Sequence, residues 1–217
     1  MHVWRADLTA LTDDCRELLS PAEQARADRF ARERDRQLWT RAHGVLRALL
    51  GRYLARDPSA LRFAAGAYGK PELVCEPPGS APTAQRAPAT LATLSFNLSH
   101  SGHLALYAFA ATLAVGVDVE VARRAVNEVA LAARAFGSAQ AQRLAALDPV
   151  VREQEFLRAW VRHEAVLKCR GTGIGGAAAQ TNGSEPWIAE LDVGPRAAAA
   201  VALERPPREL CLWEWRA

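Results

Sequence analysis

Lysine is almost absent from this sequence. Of the 27 basic residues, only Lys70 and Lys168 are lysines, and arginine fills every other basic position. Lysine carries a compact ammonium charge and arginine a flat guanidinium fork, so the two residues are not interchangeable. The two lysines therefore indicate positions where a compact positive charge is needed, for example to contact a phosphate group. Chance retention in an arginine-rich composition is the alternative interpretation.

Other missing features narrow the class of protein. No apolar run approaches the ~20 residues of a membrane helix, and the first residues lack the charged and then apolar layout of a secretory signal. We therefore expect a cytoplasmic protein with no membrane partner. The four cysteines form no C-x-x-C pair, which argues against zinc and redox motifs. A net charge of +3 is too small to indicate nucleic-acid binding.

Helical and strand patterns are mixed along the whole sequence. Ser20 and Glu23 have the spacing of a capping box, and helical spacing then continues to Leu54 as two helices. Asp148 and Gly171 delimit the clearest later helix. Shorter helices are predicted for residues 126–135 and 138–146, and strands for residues 2–8, 61–64, 94–98, 104–109, 112–120, 187–193, 197–203 and 210–215. This order predicts an α+β fold without a regular βαβ repeat.

Two pairs of charged residues, one on a predicted strand and one on a predicted helix, indicate the chemistry most clearly. Asp118 and Glu120 are two residues apart on a predicted strand, so their carboxylates project from one face. Glu164 and Lys168 are four residues apart on a predicted helix, so they also share a face. Mg²⁺ prefers oxygen ligands, and it completes its shell with water and substrate phosphate oxygens. The two pairs together therefore predict a site for Mg²⁺ and a phosphate group.

Each pair also has a simpler interpretation. An Asp-x-Glu strand commonly faces solvent, and a Glu–Lys pair at this spacing is commonly a surface pair of a helix. The strand face opposite the two acids consists of valines, which indicates a strand buried on that side. The helix places Phe156, Trp160 and Leu167 near its Glu–Lys pair, which is much apolar mass for a solvated face. These neighbours favour the functional interpretation.

Three further segments are candidates for ligand binding, and a fourth is predicted to be a loop. Ser99 and His100 lie in a predicted turn between two strands, where the histidine could donate to a phosphate oxygen or to local backbone. The glycine-rich residues 171–176 follow a helix instead of a strand, so they are not interpreted as a dinucleotide loop. Arginines from residue 26 to 41 could form a solvated helix face or collect anions. Residues 76–90 are predicted to form a mobile loop within the fold.

Five segments, in this order, resemble the 4′-phosphopantetheinyl transferases of the longer, pseudo-dimeric, Sfp-like type. They are the basic region of residues 29–47, YGKP at 68–71, FNLSHS at 96–101, GVDVE at 116–120, and the helix segment of residues 160–168. One departure is His163, which stands where the family usually has a lysine. Because histidine titrates near neutral pH, charge at this position could depend on pH.

The resemblance implies an architecture. It implies two similar α+β halves related by a pseudo-twofold, residues 1–111 and residues 112–217, with the active site and coenzyme A at their junction. It also implies a monomer. The implied reaction moves the phosphopantetheine arm of coenzyme A onto a serine of an apo acyl or peptidyl carrier protein and releases adenosine 3′,5′-bisphosphate.

The resemblance also implies roles for individual residues. Mg²⁺ would be held by Asp118, Glu120 and Glu164, and Glu164 would also be the base for the serine of the carrier. Lys168 would contact the pyrophosphate. Asp118 would also contact coenzyme A. The remaining coenzyme A contacts would come from Lys70, Ser99, His100, Arg36 and Arg41, with His100 on the 3′-phosphate.

Two other functions are compatible with the same residues. A metal-dependent nuclease also uses acids and a lysine, although the E-x-x-x-K spacing on a helix suits such sites poorly. A non-catalytic domain that binds coenzyme A or a carrier protein is the second alternative. The intact acids and lysine argue against this second alternative.

Overall fold

The computed structural model describes residues 1–12, 15–66, 70–74, 94–122, 126–172 and 185–216. Its strands are β1 (His2–Asp7), β2 (Phe63–Ala65), β3 (Pro71–Leu73), β4 (Leu94–Ser101), β5 (Leu104–Ala111), β6 (Val115–Val121), β7 (Trp187–Leu191), β8 (Ala197–Leu203) and β9 (Cys211–Glu214). Its α-helices are α1 (Pro21–Ala27), α2 (Glu33–Leu54), α3 (Glu128–Phe136), α4 (Ser138–Ala145) and α5 (Pro149–Arg170). The chain therefore has an α+β fold.

The helix boundaries follow from local capping chemistry. Ser20 and Glu23 form a reciprocal capping box at the start of α1, with the Ser20 N–H donating to Glu23 Oε2 at 2.8 Å. Asp148 caps α5 by accepting from the Val150 N–H at 2.9 Å. Gly171 ends α5 with a φ of 69°, a left-handed conformation that favours glycine. These signals were readable in the sequence, and the predicted bounds of α5 are confirmed.

The strands form three sheets. A four-stranded sheet has the order β4-β5-β1-β9, a three-stranded sheet has the order β6-β8-β7, and β2 pairs with β3 alone. Neighbouring strands are antiparallel except β1 and β9, which are parallel. Strand β3 was not predicted, because only three residues between a turn and a proline-rich segment give too short a pattern.

Alternating side chains of the strands build successive layers. In β5, Tyr107 and Phe109 pack with α2, whereas Leu106 and Ala108 pack with the valines of β6 between the two larger sheets. The far face of the three-stranded sheet packs against α5. Because successive residues of a strand point to opposite faces, one strand can serve two cores. The helix α5 is thereby fixed against β6, the strand that carries the predicted acids.

The two larger sheets meet where the edge strands β4 and β6 run side by side. Backbone N–H groups of β6 donate to side-chain oxygens of β4, in three bonds: Val117 to Asn97 at 2.8 Å, Val119 to Ser99 at 3.3 Å and Val121 to Ser101 at 3.2 Å. We call Asn97, Ser99 and Ser101 the β4 row. The row satisfies backbone donors that an edge strand would otherwise leave unpaired.

Several sequence predictions have limited overlap with the described residues. The loop of residues 76–90 and most of the glycine-rich segment lie outside them, as do Tyr68 and Gly69 of the YGKP turn. The division into residues 1–111 and 112–217 and the pseudo-twofold remain predictions. Strand β9 pairs with β1, so the sheet of the first segment includes a strand from the second. Within the described ranges, no helix combines the length and apolar character needed to cross a membrane.

Candidate active site

Gly116 brings helix α5 into direct contact with strand β6. A Cβ atom at this position would lie 2.1 Å from the Ala165 carbonyl oxygen and 2.3 Å from the Cys169 nitrogen, distances that no side chain can occupy. Any larger residue would therefore push the helix away from the strand. The glycine of the GVDVE segment thus sets the spacing between the acids of β6 and the Glu–Lys pair of α5.

Asp118 and Lys168 form a direct ion pair across this contact. The Lys168 Nζ lies 2.6 Å from Asp118 Oδ1 and also donates to Ser99 Oγ at 3.1 Å. The Ser99 hydroxyl donates in turn to Asp118 Oδ1 at 2.8 Å. Burial raises the pKa of the Asp118 carboxyl even though Lys168 and Ser99 act to lower it. The fold therefore disfavours the ionised form of the Asp118 carboxyl unless further positive charge is present.

Glu164 adds a second buried carboxylate beside this pair. Burial raises its pKa, and the negative charges of Asp118 and Glu120 raise it further. Asp118 Oδ2 and Glu164 Oε1 are both buried, and neither has a hydrogen-bond partner among the described residues. Buried acceptors without partners are rare and costly. A bound hydrogen-bond donor or cation would give these two oxygens the partner that they lack among the described residues.

Glu120 completes the set, which we call the acid–lysine cluster: Asp118, Glu120, Glu164 and Lys168. The Ser101 hydroxyl donates to Glu120 Oε2 at 2.7 Å. Among the described residues, no three Asp, Glu, His or Cys side chains lie close enough together to form a preassembled metal site. The donor set nevertheless suits Mg²⁺, which binds few carboxylates and takes its other ligands from water and substrate.

Comparison with known proteins identifies the family to which these segments belong. Residues 114–212 match the model of the 4′-phosphopantetheinyl transferase superfamily, and this stretch contains the whole acid–lysine cluster. The 4′-phosphopantetheinyl transferase HetI of Nostoc sp. is 34% identical over 177 residues, which cover 80% of this chain and 70% of HetI. The chain belongs to the 4′-phosphopantetheinyl transferase superfamily.

A second relative of this transferase is more distant. The 4′-phosphopantetheinyl transferase Sfp of Bacillus subtilis is 27% identical over 156 residues, which cover 72% of this chain and 62% of Sfp. The match therefore spans part of each relative's length and not all of it.

Lys70 bonds to the backbone of the two elements that carry most of the acid–lysine cluster in this transferase, β6 and α5. Its Nζ donates to the Val115 carbonyl at 2.8 Å and to the Lys168 carbonyl at 3.0 Å, so it joins the start of β6 to the last turn of α5. Burial lowers its pKa, partly offset by Cys169 and Glu72. A cation near the carboxyl end of a helix is favoured by the helix dipole. The structure thus gives Lys70 a structural role, and its predicted coenzyme A contact remains a prediction.

Ser99 and His100 lie within strand β4, so the prediction of a turn at these residues was wrong. The β4 row explains the difference, because its bonds to β6 keep the strand extended to Ser101. Ser99 points into the acid–lysine cluster, whereas His100 is exposed and its ring lies edge-on to His43 with centroids 6.4 Å apart. Burial lowers the pKa of His43 to about 4. A neutral aromatic ring therefore flanks the predicted phosphate-binding histidine.

The two predicted arginines line a separate cavity of about 430 Å³. Arg36 pairs with Glu33, and Arg41 donates to the Leu8 carbonyl at 2.9 Å. The cavity is also lined by Thr12, Arg16, Asp28, Gln37 and Thr40. The cavity also contains two carboxylates, because Glu33 and Asp28 line it and pair with Arg36 and Arg16. The assignment of Arg36 and Arg41 to the nucleotide remains a prediction.

His163, which replaces the family's usual lysine, is packed against an aromatic ring. Its imidazole lies edge-on to Phe136 with centroids 5.3 Å apart, and burial lowers its pKa. The side chain is therefore neutral at pH 7 and does not supply the positive charge of a lysine.

Ser101 was missed as a site residue, and Asn97 was missed as a residue that joins the two sheets. The available signal was polar residues at every second position, residues 97, 99 and 101, which on an extended strand share one face. Ending the predicted strand at residue 98 concealed this pattern.

Proposed function

We propose that this chain transfers the 4′-phosphopantetheine arm of coenzyme A to a serine of an apo acyl or peptidyl carrier protein. One observation carries the proposal: the Lys168–Asp118 ion pair lies beside two buried carboxylate oxygens, Asp118 Oδ2 and Glu164 Oε1, that have no hydrogen-bond partner among the described residues. Family membership supports this proposal, because the relatives are named for this activity. Such a site suits a reaction in which charge on phosphate oxygens must be balanced.

The carboxylates of Asp118, Glu120 and Glu164 would hold Mg²⁺ in this proposal. When bound, the ion would supply positive charge to the pyrophosphate of coenzyme A. Lys168 would add a compact charge at the same pyrophosphate, and its present partners keep its Nζ on the Asp118 side of the cluster. The raised pKa values of Asp118 and Glu164 agree with carboxylates that need a cation to remain ionised.

Glu164 would also receive the proton of the carrier's serine hydroxyl, directly or through a water molecule. The serine oxygen would attack the pyrophosphate phosphorus that bears the pantetheine arm. The new bond joins serine oxygen to phosphorus, and the bond that breaks joins that phosphorus to the oxygen of the leaving group. Adenosine 3′,5′-bisphosphate then departs with the electron pair of that bond.

The remaining coenzyme A contacts are assigned as predicted from the sequence. His100, which is exposed at the end of β4, would donate to the 3′-phosphate, and Ser99 would lie near the pyrophosphate beside Lys168. Arg36 and Arg41 would contact the nucleotide from their cavity. Lys70 would also contact the nucleotide end of coenzyme A.

The large number of arginines in this chain would help to dock the carrier protein. Carrier proteins of this kind are expected to be acidic near the modified serine, and opposite charge mainly increases the association rate and fixes orientation. A monomeric, cytoplasmic enzyme without nucleic-acid or membrane partners remains the expectation for this transferase.

Intact-mass spectrometry tests the proposal. The protein is incubated with coenzyme A, MgCl₂ and several apo carrier proteins, and each carrier is weighed before and after. We expect one phosphopantetheine group to be added to at least one carrier, with no addition in EDTA or with Asp118→Ala. Folded wild-type protein that modifies none of the carriers would contradict the proposal.

The two alternatives from the sequence are not favoured by the family comparison. A nuclease would cut plasmid DNA in the presence of Mg²⁺, which a gel assay detects. A non-catalytic domain would bind coenzyme A without any change in carrier mass, which the same mass measurement distinguishes.

A further inference from the structure

Each serine of the β4 row makes two kinds of bond to strand β6. Ser99 accepts from the Val119 N–H at 3.3 Å and donates to Asp118 Oδ1 at 2.8 Å. Ser101 accepts from the Val121 N–H at 3.2 Å and donates to Glu120 Oε2 at 2.7 Å. A hydroxyl has one donor and two acceptor sites, so both serines use it in both senses. The same pattern therefore repeats once along the two strands.

Asn97 differs from the two serines in one respect. Its side-chain oxygen accepts from the Val117 N–H at 2.8 Å, as the serines accept from β6, but it lies one repeat before the first acid of the strand. The row thus contains a member that joins the sheets and two members that join the sheets and also hold a carboxylate.

Burial makes the Ser101 contact selective. The Ser101 residue is only 1% exposed, and the Glu120 carboxylate that it contacts belongs to the acid–lysine cluster and is close enough to raise the pKa of Glu164. A buried hydroxyl that is fixed by a backbone N–H can donate in few directions, so the accepting carboxylate is restricted in turn. Groups that orient metal-binding side chains in this way commonly change metal affinity by about 10–100-fold when they are removed.

We propose that Ser101 is a positioning residue that holds the Glu120 carboxylate in the orientation that binds the divalent cation. This inference rests on the proposed function, since Glu120 is assigned there as a ligand for Mg²⁺. The Ser101 hydroxyl would act through Glu120, to which it donates as Ser99 donates to Asp118 one repeat earlier.

The test compares Ser101→Ala with Asn97→Ala. Both variants remove one bond between the sheets and leave one N–H of β6 without its acceptor, but only Ser101→Ala also removes a donor to a carboxylate. Mn²⁺ is titrated into each protein saturated with coenzyme A, and free Mn²⁺ is followed by electron paramagnetic resonance. We expect Ser101→Ala to weaken Mn²⁺ binding about 10-fold and Asn97→Ala to bind as the wild type does.

Transfer kinetics provide a second readout. Ser101→Ala is expected to need about 10-fold more Mg²⁺ for half-maximal transfer, with kcat at saturating Mg²⁺ largely restored. Ser101→Thr, which keeps the hydroxyl, should recover the wild-type Mg²⁺ requirement. If Ser101→Ala does not fold, Ser101→Cys replaces it, because a thiol is close in shape and a weaker donor.

The outcomes separate this inference from the proposed function. A wild-type protein that binds no Mn²⁺ with coenzyme A would overturn the metal assignment and this inference together. If the wild type is active in transfer and both the Ser101 and Asn97 variants bind Mn²⁺ with the wild-type affinity, the inference alone is overturned. Equal loss of affinity in both variants would also overturn it, because the effect would then come from sheet joining.

Discussion

Two ion pairs in this protein, each with one buried and one partly exposed partner, differ in how completely their polar atoms are hydrogen-bonded. Arg47 on α2 is 1% exposed, and its guanidinium bonds Glu23 at 2.7 and 2.8 Å and the carbonyls of Pro58 and Leu61. Glu23 also accepts from Ser20. In the acid–lysine cluster, by contrast, one ammonium serves Asp118 while carboxylate oxygens nearby remain without partners in the described structure.

The comparison shows how a structural ion pair differs from a site for a ligand. Burial by itself would raise the pKa of Glu23, but hydrogen bonds from Arg47 and Ser20 lower it overall, so the native fold favours the charged form. Burial raises the pKa of Glu164, so the native fold disfavours its charged form. Ionised Glu23 therefore stabilises the fold, and ionised Glu164 destabilises it until a cation binds.

The largest expected effect comes from breaking the satisfied pair. Arg47→Ala should lower the free energy of unfolding by about 3–5 kcal/mol, because it leaves the Glu23 carboxylate and two carbonyls without their donor. Urea denaturation measures this loss, and transfer per folded molecule should be unchanged. Reduced transfer per folded molecule would show that Arg47 also serves the site.

Lys168→Ala should show the reverse behaviour. Loss of a charge at the pyrophosphate should reduce kcat about 10²–10³-fold, as loss of a positioned electrostatic group does in other enzymes. The melting temperature should change little compared with that of Arg47→Ala. A collapse of the melting temperature, with full activity in the protein that stays folded, would make Lys168 structural.

Lys168→Arg examines the near absence of lysine in this sequence. The space between Asp118 and Ser99 fits a compact ammonium, with contacts of 2.6 and 3.1 Å, and a planar fork cannot make both from the same position. Transfer should therefore remain well below the wild-type rate. Near-normal transfer would show that positive charge alone is sufficient.

The smallest expected effect is a gain in stability. Glu164→Gln replaces a buried ionised group by a neutral one, so at pH 7 the free energy of unfolding should rise by about 1 kcal/mol while transfer is lost. Because the pKa of Glu164 is raised in the fold, this gain should begin to shrink as the pH falls through the folded pKa. It should vanish below the unfolded pKa, where the wild-type carboxyl is protonated in both states. Thermal denaturation of the wild type and of Glu164→Gln at pH 7 and pH 4 measures the gain in stability and its decrease at low pH. Destabilisation at pH 7 would contradict the interpretation of the cluster as an unsatisfied site.

Short-range signals of the sequence predicted much of this structure. The capping residues Asp148 and Gly171 set the bounds of α5, and alternating valines predicted β6 with its acids on the opposite face. Spacing also predicted that Glu164 and Lys168 share a face. Each of these features depends on residues fewer than about eight positions apart or on a strong cap, where local preferences dominate.

Long-range features could not be predicted in the same way. Arg47 was included in the basic region of residues 29–47 without a prediction of its burial, because the sequence does not distinguish a buried arginine from a solvated one. The partnership of Ser101 with Glu120 depends on which edges of two sheets meet, a property of tertiary packing. Strand β3 depends on its pairing with β2, which three residues cannot specify alone.

Pairing between β1 and β9 has a consequence for how the protein reaches its native state. The Met1 amino group contacts the Glu209 carbonyl, a separation of 208 residues along the chain. During synthesis β1 therefore cannot complete its pairing until β9 has emerged from the ribosome. Contacts between such distant segments form late and slowly, so truncation within β9 should leave an exposed sheet edge and promote aggregation before it affects chemistry.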